Sequence, residues 1–262
     1  MFNDTLYLYL LLILILIGKK EVIDITVLTV VHKDSGLVKY LIDSLKKYSD
    51  ILPKIIVCDN GGNKQYLDEY MGEITIVKNK PKSKDGANIH GESINKIFKM
   101  VSSKYTLIID SDCVVLSDDW CKFDKKYKFI SAKKGAKGGI DKHHFCFTLF
   151  ETEIFRNIDF RPVHSRQKQK RPWDTGCMVS QKVHDEKIPK EYLEVVGCTS
   201  GNCKIFGDRY PKAFELWRNK EPIVAHFGAG SDLLRRRINK YNEGYGKQLS
   251  DWKKTIEEYF KK

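Results

Sequence analysis

Two acids one residue apart, Asp110 and Asp112, follow the apolar run Tyr105–Ile109. In extended geometry their side chains point to the same side, because side chains alternate along a strand. Two carboxylates aimed into one crevice repel each other, and a hard divalent cation is the natural filler. Mg2+ or Mn2+ prefers carboxylate oxygens together with phosphate oxygens. Such an ion neutralises charge on a diphosphate leaving group. The competing reading is a turn with two solvated acids, and this spacing occurs often by chance. The elements that position the pair decide between the two.

Ile25–Val31 is continuous and β-branched, the pattern of a strand buried on both faces. Asp34-Ser35-Gly36 reads as a helix start, and Leu37, Leu41, Ile42, Leu45 and Tyr48 then recur at helical spacing. Ile55–Cys58 is a second buried strand and runs into the turn signal Asp59-Asn60-Gly61-Gly62. Ile74–Val77 is a third strand. Ile94, Ile97, Phe98 and Val101 mark a second helix, and Tyr105–Ile109 is a fourth strand. This alternation predicts β-α-β units: an α/β fold with a mostly parallel central sheet flanked by helices. Ligands of such sheets bind beyond the carboxyl ends of the strands. Polar clusters stand at three of those ends, His32–Asp34, Asp59–Gly62 and Asp110–Asp112.

Beyond Val115 the regularity weakens. Lys128–Ala132 reads as a strand, and the Gly- and Lys-rich Lys133–Lys142 reads as a loop without P-loop spacing. Arg161–Pro172 is a second basic loop, followed by a Trp173-Asp174-Thr175-Gly176 turn. His226–Ser231 is a Gly cluster whose Ser231 can cap a basic helix through Arg235, Arg236, Arg237 and Lys240. Asp251–Lys262 fits an amphipathic helix on Trp252, Ile256 and Tyr259 or Phe260.

Composition narrows the class. With 262 residues, 42% of them hydrophobic, the chain is long and apolar enough to bury a core, which excludes a wholly disordered protein. Seven cysteines are too few, and odd in number, for a disulfide scaffold, so they read as reduced thiols. Cys198 and Cys203 form no C-x-x-C pair, which argues against structural zinc. The net charge of +12 fits nucleic acid, an anionic membrane surface or phosphorylated small molecules. The basic segments lack interleaved aromatics and no helix-turn-helix is visible, which ranks nucleic acid low. Leu6–Ile17 is an unbroken apolar run, short of the roughly 18–20 residues of a spanning helix. It carries no basic residue before it and no small-residue cleavage site after it, unlike a signal peptide. A membrane anchor and an extra buried strand remain the two readings. Lys19 and Lys20 would place the downstream domain, and so its location, in the cytoplasm or on the cytoplasmic face of a membrane.

The order Val57-Cys58-Asp59-Asn60-Gly61-Gly62, Gly86-Ala87-Asn88 and Leu107-Ile108-Ile109-Asp110-Ser111-Asp112 resembles GT-A glycosyltransferases, most of all the family-2 type. The similarity runs from about Ile25 to Val115 and is looser from Trp173 to Arg237. It implies a Rossmann-like GT-A fold with a mixed sheet, a nucleotide-diphosphate sugar donor, a Mn2+ or Mg2+ ion and inverting transfer to an acceptor hydroxyl on a glycan, a lipid-linked group or a protein. Residues 1–20 then form a hydrophobic segment that could anchor in a membrane, and the resemblance implies 21–262 as one catalytic domain, with a nucleotide-sugar half at 21–115 and an acceptor half at 116–262. By the same resemblance Asp59 holds the donor's base or ribose. Asp110 meets ribose or the metal's water, and Asp112 and His226 ligate the metal. Arg235, Arg236 or Lys240 would bind the diphosphate, the arginines through their forks and the lysine as a point charge.

The family's usual Glu-Asp base pair is missing, and Asp174 is the best substitute as general base. Asp118-Asp119 after Ser117 reads instead as a capped helix start. Val31-His32-Lys33-Asp34 also departs from the family's first-strand turn. His143-His144 has no third ligand nearby and reads as structural. The alternatives are a nucleotidyltransferase and a non-catalytic basic nucleic-acid-binding protein.

Overall fold

The structure is a computed structural model that describes residues 23–32, 36–61, 64–83, 85–137, 140–162, 175–198, 202–207, 213–228 and 242–261. The first run of elements follows the sequence pattern closely. Strand β1 (Ile25–Val31) leads to helix α1 (Leu37–Lys47), β2 (Lys54–Asp59), β3 (Thr75–Lys78), helix α2 (Gly86–Phe98) and β4 (Tyr105–Ile109). Alternate residues of these strands feed two separate cores. Val27, Val31, Ile55, Val57, Leu107 and Ile109 face α1 through Val38, Leu41 and Leu45. Leu28, Ile56 and Ile108 face α2 through Ile94, Ile97 and Phe98. A strand buried on both faces favours uncharged, mostly apolar residues at successive positions, which is why Ile25–Val31, Ile55–Cys58 and Tyr105–Ile109 are legible as near-continuous apolar runs.

The remaining strands are β5 (Cys113–Val115), β6 (Phe129–Lys137), β7 (Ile140–Glu151), β8 (Lys190–Gly197), β9 (Phe214–Arg218) and β10 (Glu221–His226). They join one sheet in the order β3-β2-β1-β4-β7-β6-β8-β9-β10-β5. The β3-β2-β1-β4 group is parallel, as is β6 with β8. The pairs β4/β7, β7/β6, β8/β9, β9/β10 and β10/β5 are antiparallel. The sheet is therefore mixed, and the expectation of a mostly parallel sheet holds only for its first half. Past β4 the chain makes the β6/β7 and β9/β10 hairpins, which are antiparallel, and only the connection from β7 through a helix to β8 returns a parallel pair, β8 with β6.

Lys133–Lys142 is a second correction. Instead of forming a loop, the described part of this stretch continues β6 and opens β7. Its Lys and Gly content is poor in strand formers, but pairing across the hairpin overrides that preference. The ladder between β6 and β7 breaks between Ser131↔Thr148 and Ala132↔His144, so Phe145, Cys146 and Phe147 bulge from β7. Ser131 Oγ clamps the bulge, 3.3 Å from the His144 carbonyl oxygen and 3.2 Å from that of Phe147. Ser117 does not cap a helix: Asp118–Trp120 is a single 3-10 turn, and the Ser117 hydroxyl is buried without a partner.

Helix α3 (Cys177–Asp185) packs on β7, and helix α4 (Asn242–Lys261) closes a third core. Trp252 and Ile256 of α4 are fully buried there with Leu37, Val114, Phe206 and Phe227, as the amphipathic reading required. The same core brings the Cys198 and Cys203 sulfurs to 2.7 Å, although they are spaced like no metal motif. Among the described residues no helix is long and apolar enough to cross a membrane. Leu6–Ile17, most of the basic Arg161–Pro172 stretch, and Ser231 lie outside those residues.

Two local features generate predictions. Gly91 lies in α2 where the helix backbone meets the distant Phe160–Arg161 segment that follows β7; a Cβ there would sit 2.6 Å from Arg161 Cα and 2.7 Å from the Phe160 carbonyl oxygen. Asn95, one turn on, binds Asp159 at 2.7 Å and accepts from the Phe160 N–H at 3.0 Å. Gly91→Ala forces these backbones apart and costs about 2–3 kcal/mol, read as a lower urea midpoint.

His143 is buried on the α3 side of β7, its Nδ1 2.8 Å from Ser180 Oγ and its Nε2 3.2 Å from the Tyr192 hydroxyl. Tyr192 in turn donates to Asp141, which pairs with Lys133. Burial lowers the His143 pKa from 6.5 to about 4; Asp141 opposes the shift, while Lys190 and Lys133 add to it. The folded state thus holds a neutral ring that the unfolded chain protonates below 6.5. The contribution is complete above that value and is lost as pH falls towards 4. It is on the order of 2–3 kcal/mol. His143→Gln flattens that loss relative to wild type when urea unfolding is compared at pH 7 and pH 4.5.

Candidate active site

The carboxyl end of β4 opens directly onto Asp110. Its N–H donates to the Cys146 carbonyl at 3.0 Å, and its carbonyl accepts the Cys113 N–H at 3.1 Å. The Asp110–Cys113 segment is therefore a turn rather than extended chain. Both acids still converge, because a turn of this length brings their side chains to one side. The third member arrives by register. β5 runs antiparallel to β10 with Cys113 opposite His226, and the Phe227 N–H donates to the Asp112 carbonyl at 3.0 Å. His226 Nε2 then stands 3.2 Å from Asp112 Oδ1 and 3.5 Å from Asp110 Oδ2. Asp112 and His226 are buried, whereas the Asp110 side chain keeps 28% of its exposure and forms the mouth.

Two further histidines join them. His90, in the first half of α2, points Nε2 at Asp110 Oδ1 from 3.8 Å. His144 faces His226 with ring centres 5.8 Å apart, and Phe214 packs against both rings. His144 thus lies beside the acids' histidine, whereas its neighbour His143 is held in the core by Ser180 and Tyr192. Sequence reasoning missed His90 altogether. Its signal was there: it lies four residues before Ile94, on the stripe of α2 that faces the sheet.

The electrostatics follow from this ring. Burial would push the Asp110 carboxyl up, but the hydrogen bond from His226 and the charges of His90, His226 and His144 hold it down, at about 2. Burial likewise opposes charge on His226, yet Asp112 and Asp110 win and raise its pKa well above 6.5. The His226 ring thus stands between the two carboxylates, which favour its charged form. Its Nδ1 is buried with no hydrogen-bond partner. Two carboxylates and an imidazole around one gap are a suitable donor set for a divalent cation. Cys113 adds a thiol: one ligand atom from each of Asp112, Cys113 and His226 lies within 4.8 Å of the others.

Asp59 ends β2, which β1 separates from β4 in the sheet. It is buried, and its Oδ1 accepts the Gly61 N–H at 2.8 Å in the expected turn. Asn60 beside it is also buried. Its Oδ1 accepts from Asn79 at 2.8 Å, while its Nδ2 has no hydrogen-bond partner. The structure thus brings Asp110, Asp112 and His226 together and places Asp59 at a neighbouring strand end. Asp174, Arg235, Arg236 and Lys240 lie outside the described residues. Thr175, next to Asp174 in the chain, donates to the Ala87 carbonyl in the first turn of α2 at 2.9 Å. Asp118 and Asp119 follow β5 away from this gap and pair with Lys122.

No curated protein matches this chain. Solved structures resemble it at low identity. The mannosyltransferase PcManGT from Pyrobaculum calidifontis, solved with GDP-Man and Mn2+, is 13% identical with a TM-score of 0.41, over 51% of this chain and 46% of that one. S. aureus TarS residues 1–349 in complex with UDP-GlcNAc is 14% identical with a TM-score of 0.40, over 53% and 48%. Glucosyl-3-phosphoglycerate synthase from Mycobacterium tuberculosis, with Mn2+, UDP and glucosyl-3-phosphoglycerate, is 13% identical with a TM-score of 0.40, over 53% and 60%. The alignments thus span less than two thirds of each of these proteins. The sequence itself is more telling: residues 26–181, more than half of the chain, match glycosyl transferase family 2 from β1 into α3. This protein belongs to glycosyl transferase family 2.

Proposed function

We propose that the protein transfers a sugar from a nucleotide-diphosphate sugar to an acceptor hydroxyl, with inversion, and that residues 21–262 form the catalytic unit. One observation carries the reading: Asp110 and Asp112 converge on His226 at the carboxyl edge of a family-2 sheet. Family membership favours glycosyl transfer over nucleotidyl transfer and over nucleic-acid binding.

In this reading Asp59 binds the donor's base or ribose, and Asp110 meets ribose or the shell of the cation. Asp112 and His226 hold the cation, Mn2+ or Mg2+. When bound, such an ion supplies positive charge beside the departing diphosphate. Arg235, Arg236 and Lys240, which follow His226 in the chain, bind the same phosphates. His90 stands where it can donate to an oxygen of the donor that approaches Asp110. The acceptor oxygen attacks the anomeric carbon as the bond to the diphosphate oxygen breaks. Asp174 takes the acceptor's proton, and Trp173 beside it offers a face to the sugar. The acceptor is a glycan, a lipid-linked group or a protein. The apolar Leu6–Ile17 segment holds the enzyme on the cytoplasmic face of a membrane.

A thermal-shift screen of the full chain with UDP, GDP, CDP, dTDP and their sugars, each with Mn2+, Mg2+ or chelator, tests the donor site. A nucleotide at 100 times its dissociation constant adds about 2.7 kcal/mol of stability. One base is expected to give a shift that chelator removes. Asp112→Ala is expected to fold, to lose that shift and to lower transfer roughly 100- to 1,000-fold. A full shift and full activity in Asp112→Ala at ordinary metal levels overturn the reading. Asp174→Asn separates the base from the binding site: it keeps the shift and loses transfer.

A further inference from the structure

The thiol of Cys113 has no part in the mechanism above, yet it lies at the centre of it. Cys113 and His226 are directly opposed residues of the antiparallel β5/β10 pair. Opposed residues project to the same face with Cβ atoms about 4.5–5.5 Å apart. The turn at Asp110–Cys113 then folds Asp112 over the same spot. The result is a sulfur, a carboxylate oxygen and an imidazole nitrogen, all within 4.8 Å of one another and all from buried residues. In a tetrahedral zinc site, bond lengths of about 2.0–2.3 Å set the ligands about 3.3–3.8 Å apart. Small side-chain rotations close the present spacing to that range.

We propose that Asp112, Cys113 and His226 form a three-ligand site for a thiophilic divalent cation of the Zn2+ class. This inference rests on the reading of the centre as a cation site and adds the thiolate to it. Hard ions such as Mg2+ gain nothing from sulfur, whereas Zn2+ and Co2+ favour mixed sulfur, nitrogen and oxygen ligands. Zn2+ therefore competes with the working ion for Asp112 and His226. Asp110, whose side chain is partly exposed at the mouth of the gap, would give the ion its way in from solvent. Coordination removes the thiol proton to the buffer. That proton now binds the Cys146 carbonyl at 3.3 Å. The same carbonyl also accepts the Asp110 N–H, so its loss leaves no orphaned acceptor.

The test is optical titration of the full-length protein with Co2+ in the absence of donor. The expected result is a near-ultraviolet sulfur-to-cobalt band that saturates at one equivalent. It is bleached by one equivalent of Zn2+ and untouched by a thousandfold excess of Mg2+. Cys113→Ser loses the band, and Cys198→Ser, in the third core, keeps it. Cobalt that binds without this band, a band that survives in Cys113→Ser, or the absence of cobalt binding overturns the proposal. X-ray absorption of the wild-type zinc protein does not depend on a variant folding: a single sulfur at about 2.3 Å is expected, and a shell of only nitrogen and oxygen overturns it. The chelator-sensitive donor shift is measured in parallel with Mn2+. If it persists while the sulfur signatures are absent, the thiolate site falls and the transferase reading stands.

Discussion

Two carboxylates held close together in a largely buried site must have positive charge between them. In this protein the requirement falls on Asp110 and Asp112, and the imidazole of His226 meets it. Much of the second half of the sheet can be understood from this. The acids are delivered early, at the end of a short parallel run. Their counter-charge comes from the far end of the chain's last hairpin. The route β7-β6-β8-β9-β10-β5 runs outward from β4 and ends on β5, the strand that begins where β4's turn stops. The antiparallel register at that last pair then fixes the imidazole beside the acids.

The surrounding cores keep that arrangement rigid. Helix α1 donates a serine hydroxyl inward: Ser44 Oγ accepts the Val115 N–H at 3.0 Å, pinning β5 from below. Helix α4 fixes the other end, with Tyr259 donating to the Leu116 carbonyl at 3.0 Å. Arg218 of β9 binds Glu191 of β8 at 3.0 Å and the Asp119 carbonyl at 2.8 Å, tying the last hairpin to the turn after β5. None of these residues touches the gap. Each constrains a strand that carries one of its walls.

The sequence made the first half of this design legible and the second half only in outline. Ile25–Val31 and Tyr105–Ile109 read as strands because both faces of β1 and β4 are covered, so their positions are apolar or threonine, with no charged residue. The acids of Asp110–Asp112 stood out because they interrupt such a run. His226 was found through resemblance, since no local pattern shows which strand it opposes. Strand direction beyond β4 was not legible, because hairpin and crossover differ in what connects two strands rather than in the strands themselves. Lys133–Lys142 was read as a loop from its lysines and glycines, whose β structure depends on partners far along the chain. His143 and His144 were read as one structural pair, whereas adjacent residues of a strand serve opposite faces. The proposed base and phosphate-binding residues, Asp174, Arg235, Arg236 and Lys240, lie outside the described residues.

The bulge in β7 gives that last pair of histidines its meaning. Between Thr148 and His144 the partner strand advances by a single residue, from Ser131 to Ala132. Phe145, Cys146 and Phe147 are thus three surplus residues, an odd number. On a lattice with a period of two, an odd surplus exchanges inside for outside. The bulge is in effect a parity switch: it sends His144 to the catalytic face and His143 into the apolar layer under α3. A homologue with one residue more or fewer in this loop of β7 would present the preceding or following side chain to the acids instead. Insertion length here, more than residue identity, sets which imidazole the site contains.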